Sequence, residues 1–174
     1  MMTLRTVLFA IALVQFSFCH CQEYERVIVI NDSTYFLSTT NKSEMKTKDT
    51  LSYYWLHNQT IGRTQGSYFG KLLDRKFYCI NQDGNLILEG EFEDGIKNGS
   101  WKKWNKSGEL VEELNYQDGL LEGSAFRVVN DSTRHNFEYK RGLLNGKYFE
   151  IVNDEVKRVL SYRKGKIKKD KNEN

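Results

Sequence analysis

One short module recurs through the C-terminal half of the chain. Aromatic residues lie 24, 23 and 23 residues apart at Phe92, Tyr116, Tyr139 and Tyr162. A glycine follows each aromatic residue at the third position, and a second glycine follows four residues later in the first three copies. These glycines are Gly95, Gly119, Gly142 and Gly165, and then Gly99, Gly123 and Gly146. Units of this length cannot bury their apolar surface alone, so we expect a stacked array whose function lies on an extended surface.

Each copy divides into two strand-sized halves. The second half alternates in polarity, most clearly where Leu110, Glu112, Leu114 and Tyr116 share one side of the predicted strand. The two halves are separated by residues that form tight turns, at Asp83-Gly84, Ser107-Gly108, Asn130-Asp131 and Asn153-Asp154. Aromatic residues make up 13% of the chain and proline is absent, which favours strands joined by glycine and asparagine turns. The predicted fold is therefore all-β, an extended repeat meander of stacked β-hairpins.

The pattern also predicts the limits of the segments. We expect a signal peptide, formed as a helix, at 1–21, a cap hairpin with a linker at 22–50, a repeat domain at 51–168 and a disordered basic tail at 169–174. Within the repeat domain, we expect a degenerate unit at 51–74 and full units at 75–98, 99–122, 123–145 and 146–168. The cap hairpin is predicted from two short apolar runs on either side of Asn31-Asp32-Ser33.

Three sets of residues are expected to shape the surface of the array. The predicted repeat core consists of Phe92, Tyr116, Tyr139, Tyr162, Leu110, Leu114, Phe137 and Leu160. The predicted turns contain Gly84, Gly95, Gly99, Gly108, Gly119, Gly123, Gly142, Gly146 and Gly165. We expect the four recurring aromatic rings to stack in a ladder on one face. Trp101, Trp104 and Tyr148 are the candidate interaction surface, although Trp101 and Trp104 need a bulge to share a face of one strand.

The N-terminal residues have the pattern of an export signal. Arg5 precedes an apolar run from Val7 to Val14, and 1–21 contain no acidic residue. Cleavage after Cys21 is one expectation, and a lipid anchor on Cys19 or Cys21 is the alternative. No later run reaches the length of a membrane-spanning helix. Removal of the signal leaves Cys79 as the one cysteine, which we expect to be a small buried apolar residue.

No constellation of residues indicates catalysis. The chain contains neither a nucleophile elbow nor a phosphate-binding loop, and its histidines lack partners at metal-ligand spacing. We therefore expect a protein that is not an enzyme and has no cofactor. Without Arg5 the 26 basic residues fall to 25, against 23 acidic residues. This near balance does not indicate nucleic acid as a partner.

A known repeat family resembles this pattern. The stretch from Gly90 to Trp101 is similar to the MORN repeat and its bacterial variant, in which a Gly-x-Tyr/Phe-x-x-Gly core leads into a second glycine and an aromatic strand. The segment from Tyr53 to Leu73 resembles the first unit of exported members from Bacteroidetes-type bacteria. The resemblance covers about 51–168. This chain departs from the pattern at Arg75, which replaces a second glycine, and at Asp131 and Asp154, which replace turn glycines.

The resemblance implies a function in binding rather than in chemistry. Eukaryotic relatives act as interaction or membrane-associated scaffolds, and some bacterial members are labelled antitoxins. Our leading hypothesis is an exported, secreted or periplasmic scaffold that binds an unknown protein partner. A module that binds cell-surface glycan or lipid is an alternative hypothesis, as is an antitoxin-like neutralising protein. The predicted export signal speaks against the antitoxin hypothesis, because antitoxins commonly act on cytoplasmic toxins.

Overall fold

The protein is built from antiparallel β-strands. A computed structural model describes 26–30, 33–40, 42 and 44–168, so the predicted signal peptide at 1–21 and the tail at 169–174 lie outside the described residues. No helix occurs within the described ranges. The strands are β1 (Arg26–Ile30), β2 (Ser33–Thr39), β3 (Ser52–His57), β4 (Thr60–Gln65), β5 (Lys71–Ile80), β6 (Leu86–Glu93), β7 (Ile96–Trp104), β8 (Leu110–Gln117), β9 (Leu120–Leu121), β10 (Gly123–Asn130), β11 (Thr133–Lys140), β12 (Leu143–Leu144), β13 (Gly146–Val152), β14 (Glu155–Arg163) and β15 (Lys166–Ile167).

The main sheet is an open meander of hairpins, which confirms the predicted all-β architecture. Its order is β1-β2-β5-β6-β7-β8-β10-β11-β13-β14-β15, with the two-residue strands β9 and β12 pairing with β8 and β11. Neighbours in this order are antiparallel, and the sheet does not close into a barrel. The hairpin β1–β2 forms one edge rather than an isolated cap, because β2 also pairs with β5.

Glycine turns connect each hairpin to the next. At the end of β8 the chain reverses through Asp118 and Gly119, which have φ angles of 51° and 79°. Two consecutive residues with positive φ make the tight hairpin turn whose twist matches that of the strands. The same geometry recurs at Asp94-Gly95, Arg141-Gly142 and Lys164-Gly165. All nine glycines of the predicted turn set have positive φ.

A row of backbone hydrogen bonds ties successive units together. In each unit the turn glycine donates its N–H to a carbonyl oxygen of the unit before it. The donor and acceptor pairs are Gly95 to Leu73 at 2.7 Å, Gly119 to Lys97 at 3.0 Å, Gly142 to Leu121 at 2.8 Å and Gly165 to Leu144 at 2.8 Å. Leu73, Lys97, Leu121 and Leu144 therefore occupy equivalent positions of the repeat.

The recurring aromatic residues lie opposite the second glycines. Tyr116 pairs with Gly99, Tyr139 with Gly123 and Tyr162 with Gly146. Phe92 is paired in the same way with Arg75, the residue that replaces glycine in the first full unit. Arg75 keeps the glycine-like backbone, with a φ of 65°.

The first, degenerate unit departs from the pattern. Its hairpin turn forms at Asn58 and Gln59, whose φ angles are 45° and 61°. However, β4 pairs with β3 alone, and β2 takes the place beside β5 that the repeat predicts for β4. The hairpin β3–β4 is thereby released from the main sheet except for a short pairing of β3 with β5. It forms a second layer over the N-terminal half of the sheet.

The buried core lies between this hairpin and the main sheet. Its largest cluster consists of Ile28, Leu37, Leu56, Leu73, Phe77, Cys79, Phe92 and Trp101. Of the predicted repeat core, Phe92 belongs to this cluster, whereas Leu110, Leu114, Phe137 and Leu160 are only partly buried, as are the three recurring tyrosines. Tyr116 packs against the cluster, whereas the predicted core residues of the later units are only partly buried, because a single-layer sheet cannot exclude water from its own faces and the second layer covers only the first units.

Candidate interaction surface

One face of the sheet carries the recurring rings. We call it the ring face and define it by Phe92, Trp101, Tyr116, Tyr139 and Tyr148. Direct partners in antiparallel strands share a face, and the pairing registers place these residues on the same side. Under the hairpin β3–β4 the rings pack closely, with the centroid of Phe92 5.0 Å from Tyr54 and 4.7 Å from Trp101. These contacts make the N-terminal half of the ring face interior.

Trp101 is part of this interior rather than of the surface. Its exposed fraction is 3%, and its indole N–H donates a hydrogen bond of 3.1 Å to the carbonyl of Glu91. The indole ring lies over Gly90, where a Cβ atom would overlap it. The prediction that Trp101 belongs to an interaction surface was therefore wrong, because the hairpin β3–β4 and Gly90 together provide a buried site for the ring.

Trp104 and Tyr148 are partly exposed. A register shift between Lys103 and Trp104 supplies the bulge that the sequence left open. Trp104 lines a cleft with Tyr35 and Leu88, residues that also line the cleft beside Trp101. The bulge thus brings both tryptophans to the ring face, and Trp101 alone is covered.

Beyond the covered region the rings continue without a second layer. We define the C-terminal ring strip as His135, Phe137, Tyr139, Tyr148 and Tyr162, all of them partly exposed. Phe137 lies 5.9 Å from Tyr139 and 5.5 Å from Tyr148, and Tyr148 lies 5.4 Å from His135 and 6.4 Å from Tyr162. The strip is therefore a continuous row of ring contacts across β11, β13 and β14.

The rings do not stack between equivalent positions. Among the described ring contacts, none joins two members of the series Phe92, Tyr116, Tyr139 and Tyr162. Equivalent positions lie two strands apart, about 10 Å, which is too far for direct contact between rings. The predicted ladder was wrong in this respect, because a ring from the strand between them, such as Tyr148, makes the contact instead.

A second apolar row runs along the edge where the glycine turns lie. Its members are Leu72, Ile96, Leu120 and Leu143, and each packs beside the turn glycine of the following unit. Leu51 and Tyr53 cover the beginning of this row. The exposed fraction is 1% for Leu72 but 51% for Leu143, and at the neighbouring position of the repeat it is 0% for Leu73 but 55% for Ile167. Both apolar rows therefore lose their cover toward the C-terminal end of the array.

Burial also shifts the titration of tyrosines on the ring face. Burial raises the pKa of Tyr116 to about 12 and also raises that of Tyr139. Glu112 on β8 and Arg127 on β10, which are direct partners across these two strands, form an ion pair. The opposite face carries further ion pairs, for example Lys76 to Glu91 at 3.0 Å. The ring face thus carries the recurring aromatic rings together with the ion pair from Glu112 to Arg127.

The described residues provide no evident centre for metal chemistry. They contain no group of three or more histidine, cysteine, aspartate or glutamate side chains placed to hold a metal ion. Nor does any helix in the described ranges have the length and apolar character needed to cross a membrane.

Cys79 is free and buried, as the sequence predicts, and burial raises the pKa of its thiol.

Comparison of the chain with models of known families, with curated proteins and with solved structures gives no match.

Sequence reasoning missed three residues that this geometry singles out. Leu143 and Ile167 were not predicted as surface residues, and Lys97 was not distinguished from other charged residues. The sequence does contain a signal for Lys97. The second residue after Gly119 and after Gly142 is leucine, whereas the second residue after Gly95 is Lys97.

Proposed function

We propose that the chain is a non-enzymatic repeat protein that acts as a protein-interaction scaffold. The observation that carries the proposal is the loss of cover along the array at two pairs of equivalent positions, from Leu72 to Leu143 and from Leu73 to Ile167. Apolar surface that is contiguous and bare on one side of a polar protein marks an interaction site. The resemblance of the repeats to the MORN family, whose eukaryotic members act as scaffolds, supports the same function.

The chain itself suggests what kind of partner fits. Its hairpin β3–β4 packs on the ring face through Tyr54 and Leu56, while Leu51 and Tyr53 cover the beginning of the edge row. The C-terminal ring strip and the edge row offer the same two apolar features without a cover. We therefore expect the partner to contribute an apolar β-hairpin that docks over Tyr148 and Leu143.

The test compares two substitutions at equally exposed apolar positions on opposite faces. Leu143 and Val159 both have an exposed fraction of 51%, but Val159 pairs with Phe149 and lies on the face opposite to the ring strip. Purified wild type, Leu143→Asp and Val159→Asp would be crosslinked to proteins of the native cell envelope. We expect one saturable adduct with wild type and Val159→Asp, and its loss with Leu143→Asp.

Two results would overturn the proposal. One is the absence of any saturable adduct with the wild-type protein, and the other is an adduct that Leu143→Asp leaves unchanged. Because both substituted side chains are already exposed, both variants should fold, which circular dichroism would verify.

A further inference from the structure

Lys97 is the exception in an otherwise apolar position of the repeat. The hydrogen bonds between units make it equivalent to Leu73, Leu121 and Leu144. Leu73 is fully buried, and leucine at this position contributes to the core. A lysine here carries a charge into the space beneath the hairpin β3–β4, where burial of a charged group is unfavourable. Lysine at this position is therefore unfavourable for the stability of the fold, which suggests that the residue has a role other than stabilisation.

The ammonium group of Lys97 lies among aromatic rings. Its Nζ is 3.9 Å from the ring centroid of Trp101, 5.2 Å from that of Tyr116 and 5.5 Å from that of Tyr54. These distances are in the range of cation–π attraction, which offsets part of the cost of burial. Within the described part of the chain, no carboxylate or carbonyl oxygen accepts a hydrogen bond from Nζ. Within those residues the partners of Nζ are therefore aromatic rings rather than acceptor oxygens.

A cleft of about 280 Å³ adjoins this amine. Its walls are apolar and consist mainly of Ile30, Tyr35, Ile61, Phe77, Phe92 and Trp101, and Lys97 is the one charged residue among the described residues that line it. The charged and titratable groups around the amine are Tyr54 on β3, Arg63 on β4, and Glu112 and Tyr116 on β8. Burial first, and then the positive charge of Arg63, lower the pKa of Lys97 to about 8, while Glu112 acts in the opposite direction.

We infer that this cleft is a binding site for a small aromatic carboxylate, held with its ring between the aromatic walls and its carboxylate on Lys97 Nζ. A flat apolar body fits walls made of rings, which favour edge-to-face and offset contacts. A single anionic group accepts hydrogen bonds from Nζ and places a negative charge beside the partly buried ammonium. This site is independent of the proposed protein-binding surface, which lies at the other end of the array.

The test uses two probes of the same shape that differ in charge, 2-naphthoate and the neutral 2-naphthamide. Calorimetric titration of the wild-type protein at pH 7 should show that naphthoate binds at least about tenfold more tightly, because a charge-assisted hydrogen bond to a buried amine contributes that much. At pH 9.5 the amine is largely neutral, so the preference should fall below about twofold.

Substitution of the lysine provides the second arm of the test. Lys97→Leu restores the residue that other units carry and should fold, yet it should lose the preference for naphthoate. Lys97→Met is a second, unbranched replacement with the same expected result. Lys103→Leu makes the same exchange on the same strand outside the cleft, and the preference should persist. Equal affinity for the two probes in the wild type, or an unchanged preference in both Lys97 variants, would overturn the inference.

Discussion

Two of the second glycines of the repeat are constrained by backbone conformation rather than by space. Gly99 and Gly123 have φ angles of 63° and 78°, yet a Cβ atom at either position would meet nothing within 4 Å. Glycine is favoured there because other residues adopt this conformation at a cost of roughly 1–2 kcal/mol. Arg75 occupies the equivalent position with a φ of 65° and therefore carries this cost.

Replacement of Arg75 by glycine should stabilise the fold. The Arg75→Gly variant relieves the left-handed strain, while the added freedom of the unfolded chain cancels part of the gain, so we expect an increase of about 0.5–1 kcal/mol in the free energy of unfolding. Arg158→Gly makes the same exchange at an exposed strand position that lacks positive φ, and it should destabilise by a similar amount. Urea unfolding would measure both, and a loss of stability in Arg75→Gly would contradict the strain argument.

The sequence predicts what depends on local chemistry. Glycines with positive φ, the hairpin turns and the free, buried Cys79 follow from residue type and spacing, and the structure has them. The positions of Trp101 and Lys97 could not be predicted in this way. Both depend on the hairpin β3–β4, which leaves the meander and covers the ring face. The position of this hairpin depends on whether β2 or β4 pairs with the same edge of β5. This pairing joins residues far apart in the sequence, so no local sequence pattern predicts it.

The strands differ in how much they contribute to stability, because only some are covered by a second layer. Leu56 on β3 belongs to the buried cluster, whereas Leu160 on β14 faces partly into solvent beside Tyr148. Burial between two layers excludes water from all sides of a side chain. Packing within one layer leaves part of it hydrated, so its removal costs less.

Truncation of these two leucines should show that covered strands contribute more to the free energy of unfolding than uncovered strands do. We expect Leu56→Ala to lower the free energy of unfolding by about 3 kcal/mol and Leu160→Ala by about 1 kcal/mol, in proportion to the area each buries. Chemical denaturation followed by tryptophan fluorescence would report both values. Equal losses would mean that the hairpin β3–β4 does not form the second layer described here.

For the molecule as a whole, buried and partly buried titratable groups couple stability to pH, among them Lys97, Cys79 and Tyr116. The pKa of Lys97 is lowered from 10.5 to about 8, so in the folded protein its amine loses its proton earlier than in the unfolded chain. The unfolded state then binds more protons between these values, and stability rises with pH. The pKa values of Cys79 and Tyr116 are raised from 9.0 and 10.0, so each stabilises the fold below its unfolded value and loses that effect as pH rises further.

These opposite signs predict a maximum of stability in mildly alkaline solution. Between pH 8 and 9 Lys97 dominates, and the free energy of unfolding should rise by about 1 kcal/mol. Above pH 9 ionisation of Cys79 in the unfolded chain opposes the rise, and above pH 10 that of Tyr116 reverses it. Urea unfolding at half-unit steps from pH 7 to 10.5 would trace the curve. The Lys97→Leu variant should lose the rise in stability but keep the decrease at higher pH. A wild-type curve that is flat between pH 8 and 9 would show that the pKa of Lys97 is not lowered in the folded protein.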